Sequence, residues 1–185
     1  MRLFLAISLQ PELARRLQDM QKALESSAWS LKPSPAEKLH LTLHFLGETP
    51  ENLLEDLHHD LKACAQRHRP FDLKVGGLGA FPSWEDPRVL WAGVQDPKGK
   101  LAGLFDASRR ALNAYRLFKL REEFQPHISL AKVGELKASW DPRPLQGILQ
   151  QWEKIGILPV EEFSLIKSAP GEGAPYDLIE KFSLG

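Results

Sequence analysis

One eight-residue pattern occurs twice in the chain, as His40-Leu41-Thr42-Leu43-His44-Phe45-Leu46-Gly47 and as His127-Ile128-Ser129-Leu130-Ala131-Lys132-Val133-Gly134; both copies read H-x-[ST]-L-x-x-[LV]-G. A lone H-x-[ST] arises readily by chance. The longer pattern, at equivalent places in two similar stretches of chain, points to a duplicated structural unit. Both copies are short and apolar, as strands are, and on a strand residues i and i+2 share a face. His40 and Thr42 then point one way, with His44 on their side, while Leu39, Leu41, Leu43 and Phe45 point the other. His127 and Ser129 point together, opposite Ile128 and Leu130, and the same period puts Lys132 on the face away from His127. If an approximate two-fold axis relates the two units, their polar faces meet in a cleft holding two histidines and two hydroxyls. For either copy alone, the plainer reading is a half-buried strand whose hydroxyl satisfies neighbouring backbone groups. Two copies argue against it.

Hydrophobic periodicity arranges the rest of the chain as alternating short strands and amphipathic helices. Residues 3–8 read as a strand, followed by a helix that opens at Pro11 and repeats Leu13, Leu17, Met20 and Leu24. After the strand at 39–46, Thr49 is a candidate N-cap and Pro50 a first helical residue, ahead of a stripe of Leu53, Leu57, Leu61 and Cys64. Strands are expected at 71–80 and 88–94, around the turn-rich 81–87, then a helix capped by Asp96-Pro97 with Leu101, Leu104, Phe105, Leu112 and Tyr115 on its apolar side. A strand at 125–133, a helical stripe of Leu145, Ile148, Leu149, Trp152 and Ile155, and strands at 159–168 and 176–184 joined by a turn at 171–175 complete the chain. The fold class is α/β, of the α+β kind, with one domain made of two pseudo-symmetric β-α-β-α-β halves at about 1–80 and 88–185.

With 24 basic and 24 acidic side chains the net charge is zero, so no global field draws in long nucleic acid and any polyanion is recognised locally. Two imidazoles with ordinary pKa values near 6.5 can divide into one acid and one base at neutral pH. Such a pair suits phosphoryl transfer without a metal ion. One ring deprotonates an attacking water and the other protonates the departing oxygen, while the hydroxyls of Thr42 and Ser129 hold the non-bridging oxygens. Strain in a five-membered cyclic phosphate lessens the need for a divalent cation. Cys64, the single cysteine, reads as a small buried apolar residue in a reducing, cytoplasmic protein. The first apolar run is too short to span a bilayer and lacks a signal peptide's basic start and cleavage site, so no membrane association is expected.

At these positions the sequence resembles the 2H phosphoesterase superfamily, named for two H-x-[ST] motifs, and within it the bacterial and archaeal RNA 2′,3′-cyclic phosphodiesterases, also called 2′-5′ RNA ligases. The resemblance runs from Arg2-Leu3-Phe4-Leu5-Ala6-Ile7 through both motifs, Gly79-Ala80-Phe81-Pro82, Arg88-Val89-Leu90-Trp91-Ala92-Gly93-Val94 and Phe124-Gln125-Pro126 to Tyr176-Asp177-Leu178. It implies a bilobal fold with antiparallel-rich sheets flanking a central active-site cleft. It also implies hydrolysis of 2′,3′-cyclic phosphate on RNA or nucleotide ends to 2′-phosphomonoesters, with no metal or other cofactor. Carried over, His40 is the proton donor to the 3′ oxygen, His127 the proton acceptor from water, and Thr42 and Ser129 the phosphate-binding hydroxyls. The expected partners are RNA ends or small nucleotides, and the expected state is a monomer. The rival readings are 2′-5′ ligation, the same displacement run backward, and a non-catalytic nucleotide-binding or RNA-end-binding module.

Other residues admit two readings each. His44 either lines the outer groove or sits exposed without a role. His58, His59 and His68 read as solvated helix surface. Arg109, Arg110, Arg116, Lys119 and Arg121 either steer a phosphate toward the cleft or form a charged helix face. Trp91, Phe81 and Phe124 read as core, and the loop residue Trp84 as the best candidate to stack on a base.

Overall fold

The structure, a computed structural model, describes residues 1–25, 30–115, 124–134, 150–169 and 176–185. Its strands are β1 (Arg2–Ser8), β2 (Leu31–Pro33), β3 (His40–Glu48), β4 (Phe71–Phe81), β5 (Val89–Gln95), β6 (His127–Val133), β7 (Gly156–Val160), β8 (Glu162–Ser168) and β9 (Tyr176–Ser183). They join in the order β7-β4-β5-β6-β3-β1-β8-β9, with β2 added along β6, and their pairings are antiparallel. Only Glu161 separates β7 from β8, although they lie far apart in that order. A link of one residue reaches less than about 11 Å, so the sheet has to curl until its two ends approach. The α/β fold with an antiparallel-rich sheet is the one expected. The continuity of the two lobes' strands in one sheet was not legible beforehand.

Helices α1 (Pro11–Glu25), α2 (Leu54–Ala65) and α3 (Lys100–Asn113) cover one face of this sheet with the stripes read from the sequence. Leu13, Leu17, Met20 and Leu24 of α1 pack toward β6 and β7; α2 buries Leu57, Leu61 and Cys64 against α3 and β9. Burial pushes the Cys64 thiol pKa up, as for an inert core residue. The Asp96 carboxylate accepts the N–H groups of Lys100 (2.9 Å) and Ala102 (3.0 Å), satisfying first-turn donors of α3 as its position suggested. Thr49 does not cap α2. It is buried, its hydroxyl donates to Gly47 O at 3.2 Å, and a short 3₁₀ turn, Glu51–Leu53, precedes the helix. No helix among the described residues is long and apolar enough to cross a membrane.

In space the sheet divides differently from the expected halves at 1–80 and 88–185. One side, β4 to β7, comes from the middle of the chain; the other, β3-β1-β8-β9, is made of its two ends. The reason is the full register of β8 on β1, from Arg2 opposite Ser168 to Ala6 opposite Ser164, which pairs strands at opposite ends of the sequence. The expected strand at 159–168 is split at Glu161 between the two sides. Leu145, Ile148 and Leu149 of the expected last helix and the turn at 171–175 lie outside the described residues. Ile155 is not helical but donates its N–H to Val75 O (2.8 Å) on the way into β7.

Both motif strands depart from simple alternation at the same place. On β1, Ala6 opposes Thr42 and Leu5 opposes His44, leaving Leu43 as an extra residue; on β5, Trp91 opposes Ser129 and Leu90 opposes Ala131, leaving Leu130 extra. Each is a β-bulge directly after the hydroxyl residue, and a bulge reverses which face the following side chains take. His44 therefore faces the helices instead of sharing the face of His40, while Phe45 and Lys132 turn onto the face of the two motif histidines. Those three orientations correct the regular period expected above. A further shift follows in β3 before Gly47, whose φ of 70° suits a residue without a Cβ.

His44 is 6% exposed and stacks on Phe105, with ring centroids 4.3 Å apart. Its Nε2–H donates to Ser108 Oγ (2.9 Å) and Phe105 O (3.1 Å), and the Ser108 hydroxyl donates to Leu104 O (2.7 Å). Burial pushes its pKa down to about 4, from an ordinary 6.5. The unfolded chain then binds a proton that the folded chain refuses, so between those values stability falls as pH falls, by on the order of 3 kcal/mol in total. Urea unfolding of the wild type from pH 7 to pH 4 should show this extra acid destabilisation, and His44→Asn should lack it. Equal pH slopes for the two proteins would show that the buried imidazole is not its source.

Candidate active site

The strands β3 and β6 meet at a single residue pair, Leu41 opposite Ile128, the central residues of the two H-x-[ST] triplets. Both are fully buried beneath the helices. Their neighbours His40, Thr42, His127 and Ser129 must therefore all emerge on the opposite face, in a patch two strands wide. The antiparallel register sets His40 beside Ser129 and Thr42 beside His127. The histidines fall on the diagonal, where neighbouring residues of a sheet are roughly 7–8 Å apart. All four line one groove of about 610 Å³.

The two imidazoles are held alike. His40 Nδ1–H donates to Lys38 O (2.7 Å) and His127 Nδ1–H donates to Gln125 O (2.8 Å), each a carbonyl two residues earlier. These bonds select the tautomer and leave Nε2 on both rings as the atom that gains or loses a proton. Aromatic walls hold the rings: Phe4 (5.1 Å) and Tyr176 (5.6 Å, edge-on) beside His40, and Phe81 (4.9 Å, edge-on) and Trp91 (6.0 Å) beside His127. Burial lowers the pKa of His40; its bond to Lys38 O acts in the opposite sense, and the charge of His127 lowers it further.

Arg2, Lys32, Lys38 and Lys132 line the same groove, and no carboxylate lines it among the described residues. A neutral protein thus carries a local positive field at this face. Among the described residues no three His, Cys, Asp or Glu side chains converge as metal ligands would. The bulge beside Ser129 is fastened from behind. Leu130 O accepts the N–H of Ser34 (2.7 Å) and the side-chain amide of the buried Gln21 (2.6 Å), which also donates to Ser34 O (2.8 Å).

The four residues singled out from the motifs are thus brought together. Phe4, Phe45, Tyr176, Lys132 and Gln21 were missed at this site, and the shared Leu after each hydroxyl was the one available sign of the paired bulges. Trp84 packs on the core and does not line the groove, while Phe124 stacks on Phe105 (3.9 Å). Arg109 pairs with Asp106 (3.0 Å), and Arg110 opens onto a separate groove between α2 and α3. Arg116, Lys119 and Arg121 lie outside the described residues. Of the helix histidines, His59 is exposed, His58 pairs with Glu180 (3.5 Å) and His68 Nδ1–H donates to Cys64 O (2.9 Å).

A protein-family model described as the 2′-5′ RNA ligase superfamily matches residues 9–172. The chain belongs to this superfamily. An RNA 2′,3′-cyclic phosphodiesterase of Thermus thermophilus is 37% identical, with 100% of this chain and 90% of that protein covered. Another, of Aquifex aeolicus, is 32% identical, with 80% and 79% covered. The crystal structure of TT0787 of Thermus thermophilus matches with a TM-score of 0.79 at 29% identity, covering 100% of this chain and 98% of that one. E. coli LigT complexed with 3′-AMP matches with a TM-score of 0.73 at 27% identity, covering 99% and 97%. The 2H phosphoesterase fold and the family implied by the paired motifs are those found.

The electrostatics of His40 can be read directly. In an NMR titration of the ligand-free protein its ring should titrate below the ordinary 6.5. Saturating inorganic phosphate should move the midpoint upward, because a nearby anion favours the imidazolium. A free-protein midpoint at or above 6.5, or no response to phosphate, would contradict this burial and groove geometry.

Proposed function

We propose that this protein hydrolyses 2′,3′-cyclic phosphate at the ends of RNA or of nucleotides to 2′-phosphomonoesters, without a metal ion. The observation that carries the reading is the Leu41–Ile128 pairing, which gathers two imidazoles and two hydroxyls on one face with both Nδ1 atoms engaged by backbone carbonyls. Family membership and the names of the relatives support the same reaction.

In the proposed mechanism His127 Nε2 takes a proton from water as its oxygen bonds to phosphorus. The bond from phosphorus to O3′ breaks in line, and His40 Nε2–H supplies the proton that O3′ requires. Diagonal placement of the rings suits this, since attacking and departing oxygens stand on opposite sides of phosphorus. Thr42 and Ser129 donate to the non-bridging oxygens, and Lys132 with its basic neighbours offsets the developing charge. The lowered pKa of His40 makes its imidazolium a stronger acid, while the bound phosphate anion restores part of its protonation. Assigning donor to His40 and acceptor to His127 follows the family resemblance. With a 5′-hydroxyl in place of water, the same groups run the reverse displacement and join RNA ends through a 2′-5′ linkage. The family description favours that as a second activity of the groove.

An oligoribonucleotide ending in 2′,3′-cyclic phosphate, incubated with the protein and EDTA, should yield a 2′-phosphomonoester end. His40→Ala and His127→Ala should each reduce turnover about 10²- to 10⁴-fold with little change in thermal unfolding. An unchanged terminus would reject the reaction, near-normal rates in both variants the paired-histidine mechanism, and a 3′-phosphate product the identity of the leaving oxygen.

A further inference from the structure

An amide stands where the apolar stripe of α1 calls for a hydrocarbon. Gln21 is 5% exposed, on the helix face that carries Leu13, Leu17, Met20 and Leu24. An amide buried there is costly unless its N–H groups are taken up. Both are: the one NH2 group donates to Leu130 O (2.6 Å) and to Ser34 O (2.8 Å), on two segments far apart in the chain. From this placement, and resting on the function proposed above, we infer that Gln21 is a positioning residue for the Ser129 hydroxyl, acting through the Leu130 carbonyl from behind the groove.

β6 is least supported where Ser129 needs support most. On its β5 edge the partners jump from Trp91–Ser129 to Leu90–Ala131, so Leu130 is the extra residue. On the opposite edge β3 pairs at Ile128 and β2 takes over at Ala131, so residues 129 and 130 fall in the gap between the two. Two groups close that gap: the Ser34 N–H, which donates to Leu130 O at 2.7 Å, and the Gln21 amide. Because the same amide also holds Ser34 O, it joins the end of β2 to the bulge and fixes the width of the gap. Ser34 and Ser129 both line the groove, so its wall on this side is set from the helix layer. The Leu130 side chain is fully buried. With that side chain fixed in the core, freedom released by losing the carbonyl anchor goes into the adjoining backbone, and Ser129 stands directly before it. Thr42 supplies an internal control, since β1 pairs with β3 on both sides of its bulge and both Gln21 bonds go elsewhere.

Gln21→Met keeps the size of the side chain and removes its donors. It should lower kcat for a nucleoside 2′,3′-cyclic phosphate about 10- to 100-fold, with KM little changed and thermal unfolding still cooperative. On a Ser129→Ala background the same substitution should cost less than about threefold, and on Thr42→Ala its full factor, because only Ser129→Ala removes the group that Gln21 places. Equal factors on all three backgrounds would show a merely structural role, and a wild-type kcat in Gln21→Met would show none; either result overturns the inference. A second measurement needs neither turnover nor a Gln21 variant. Saturating inorganic phosphate should move the NMR signals of the Gln21 side-chain NH2 group in the wild type and leave them in place in Ser129→Ala, with the His40 ring reporting bound phosphate in both. Signals that ignore phosphate in the wild type, or that move alike in both proteins, overturn the inference as well. Should Gln21→Met not fold, this measurement decides alone. If the wild type turns over no cyclic phosphate and yet behaves as expected here, the proposed reaction fails and the positioning role stands.

Discussion

The contact on which the site depends is the apolar pair Leu41 and Ile128. Among the described residues it is the one place where β3 and β6 pair directly, and it lies between the histidine and the hydroxyl of each motif. Burial of those two side chains under the helices, worth about 1.5–3 kcal/mol each, fixes the opposite direction for their neighbours. A slip of one residue in this register would send the imidazoles into the core and the leucines into the groove. The polar patch is thus positioned by hydrophobic packing on the reverse of the sheet. Gln21 extends that logic by holding Leu130 O through the sheet's back, so the bulge beside Ser129 is supported from the helix layer.

How much of this was legible depends on the range of the interaction involved. The three helical stripes, the motif strands and the set His40, Thr42, His127 and Ser129 follow from periods of 3.6 and 2 over a few residues, and the structure keeps them. His44, Phe45 and Lys132 were placed on the wrong face because the alternation was carried through Leu43 and Leu130 without interruption. Bulges are pairing events. They depend on which residue a neighbouring strand presents, and Ala6, Leu5, Trp91 and Leu90 lie far away in sequence. The repeat did contain a trace of them, since an apolar leucine follows the hydroxyl in both copies where no period demands identity.

The division of the sheet was illegible for the same reason. A two-part repeat in sequence suggests two parts in space, yet β8 pairs with β1 and β7 with β4, so the chain's ends share one side and its middle forms the other. Thr49 fits every local rule for an N-cap, but its backbone forms a reciprocal pair with Met1, its N–H donating to Met1 O (2.8 Å) and its C=O accepting from the Met1 amino group (2.9 Å). That long-range pairing ties the strand end of β3 to the start of β1 and leaves the helix to begin later. Local propensity lost to sheet closure in each of these cases.

Near-symmetry of the backbone makes the chemical asymmetry of the groove more informative than it would be elsewhere. Both histidines have the same Nδ1 bond, a hydroxyl two residues on and the same bulge, so their own strands treat them alike. The distinction has to come from what surrounds them. His40 stands between Phe4 and Tyr176, where burial disfavours its charged form; the bulge on that side exposes Phe45 where the other exposes Lys132. In a duplicated site, two imidazoles held alike by their own strands are therefore made unlike by the residues that differ between the copies.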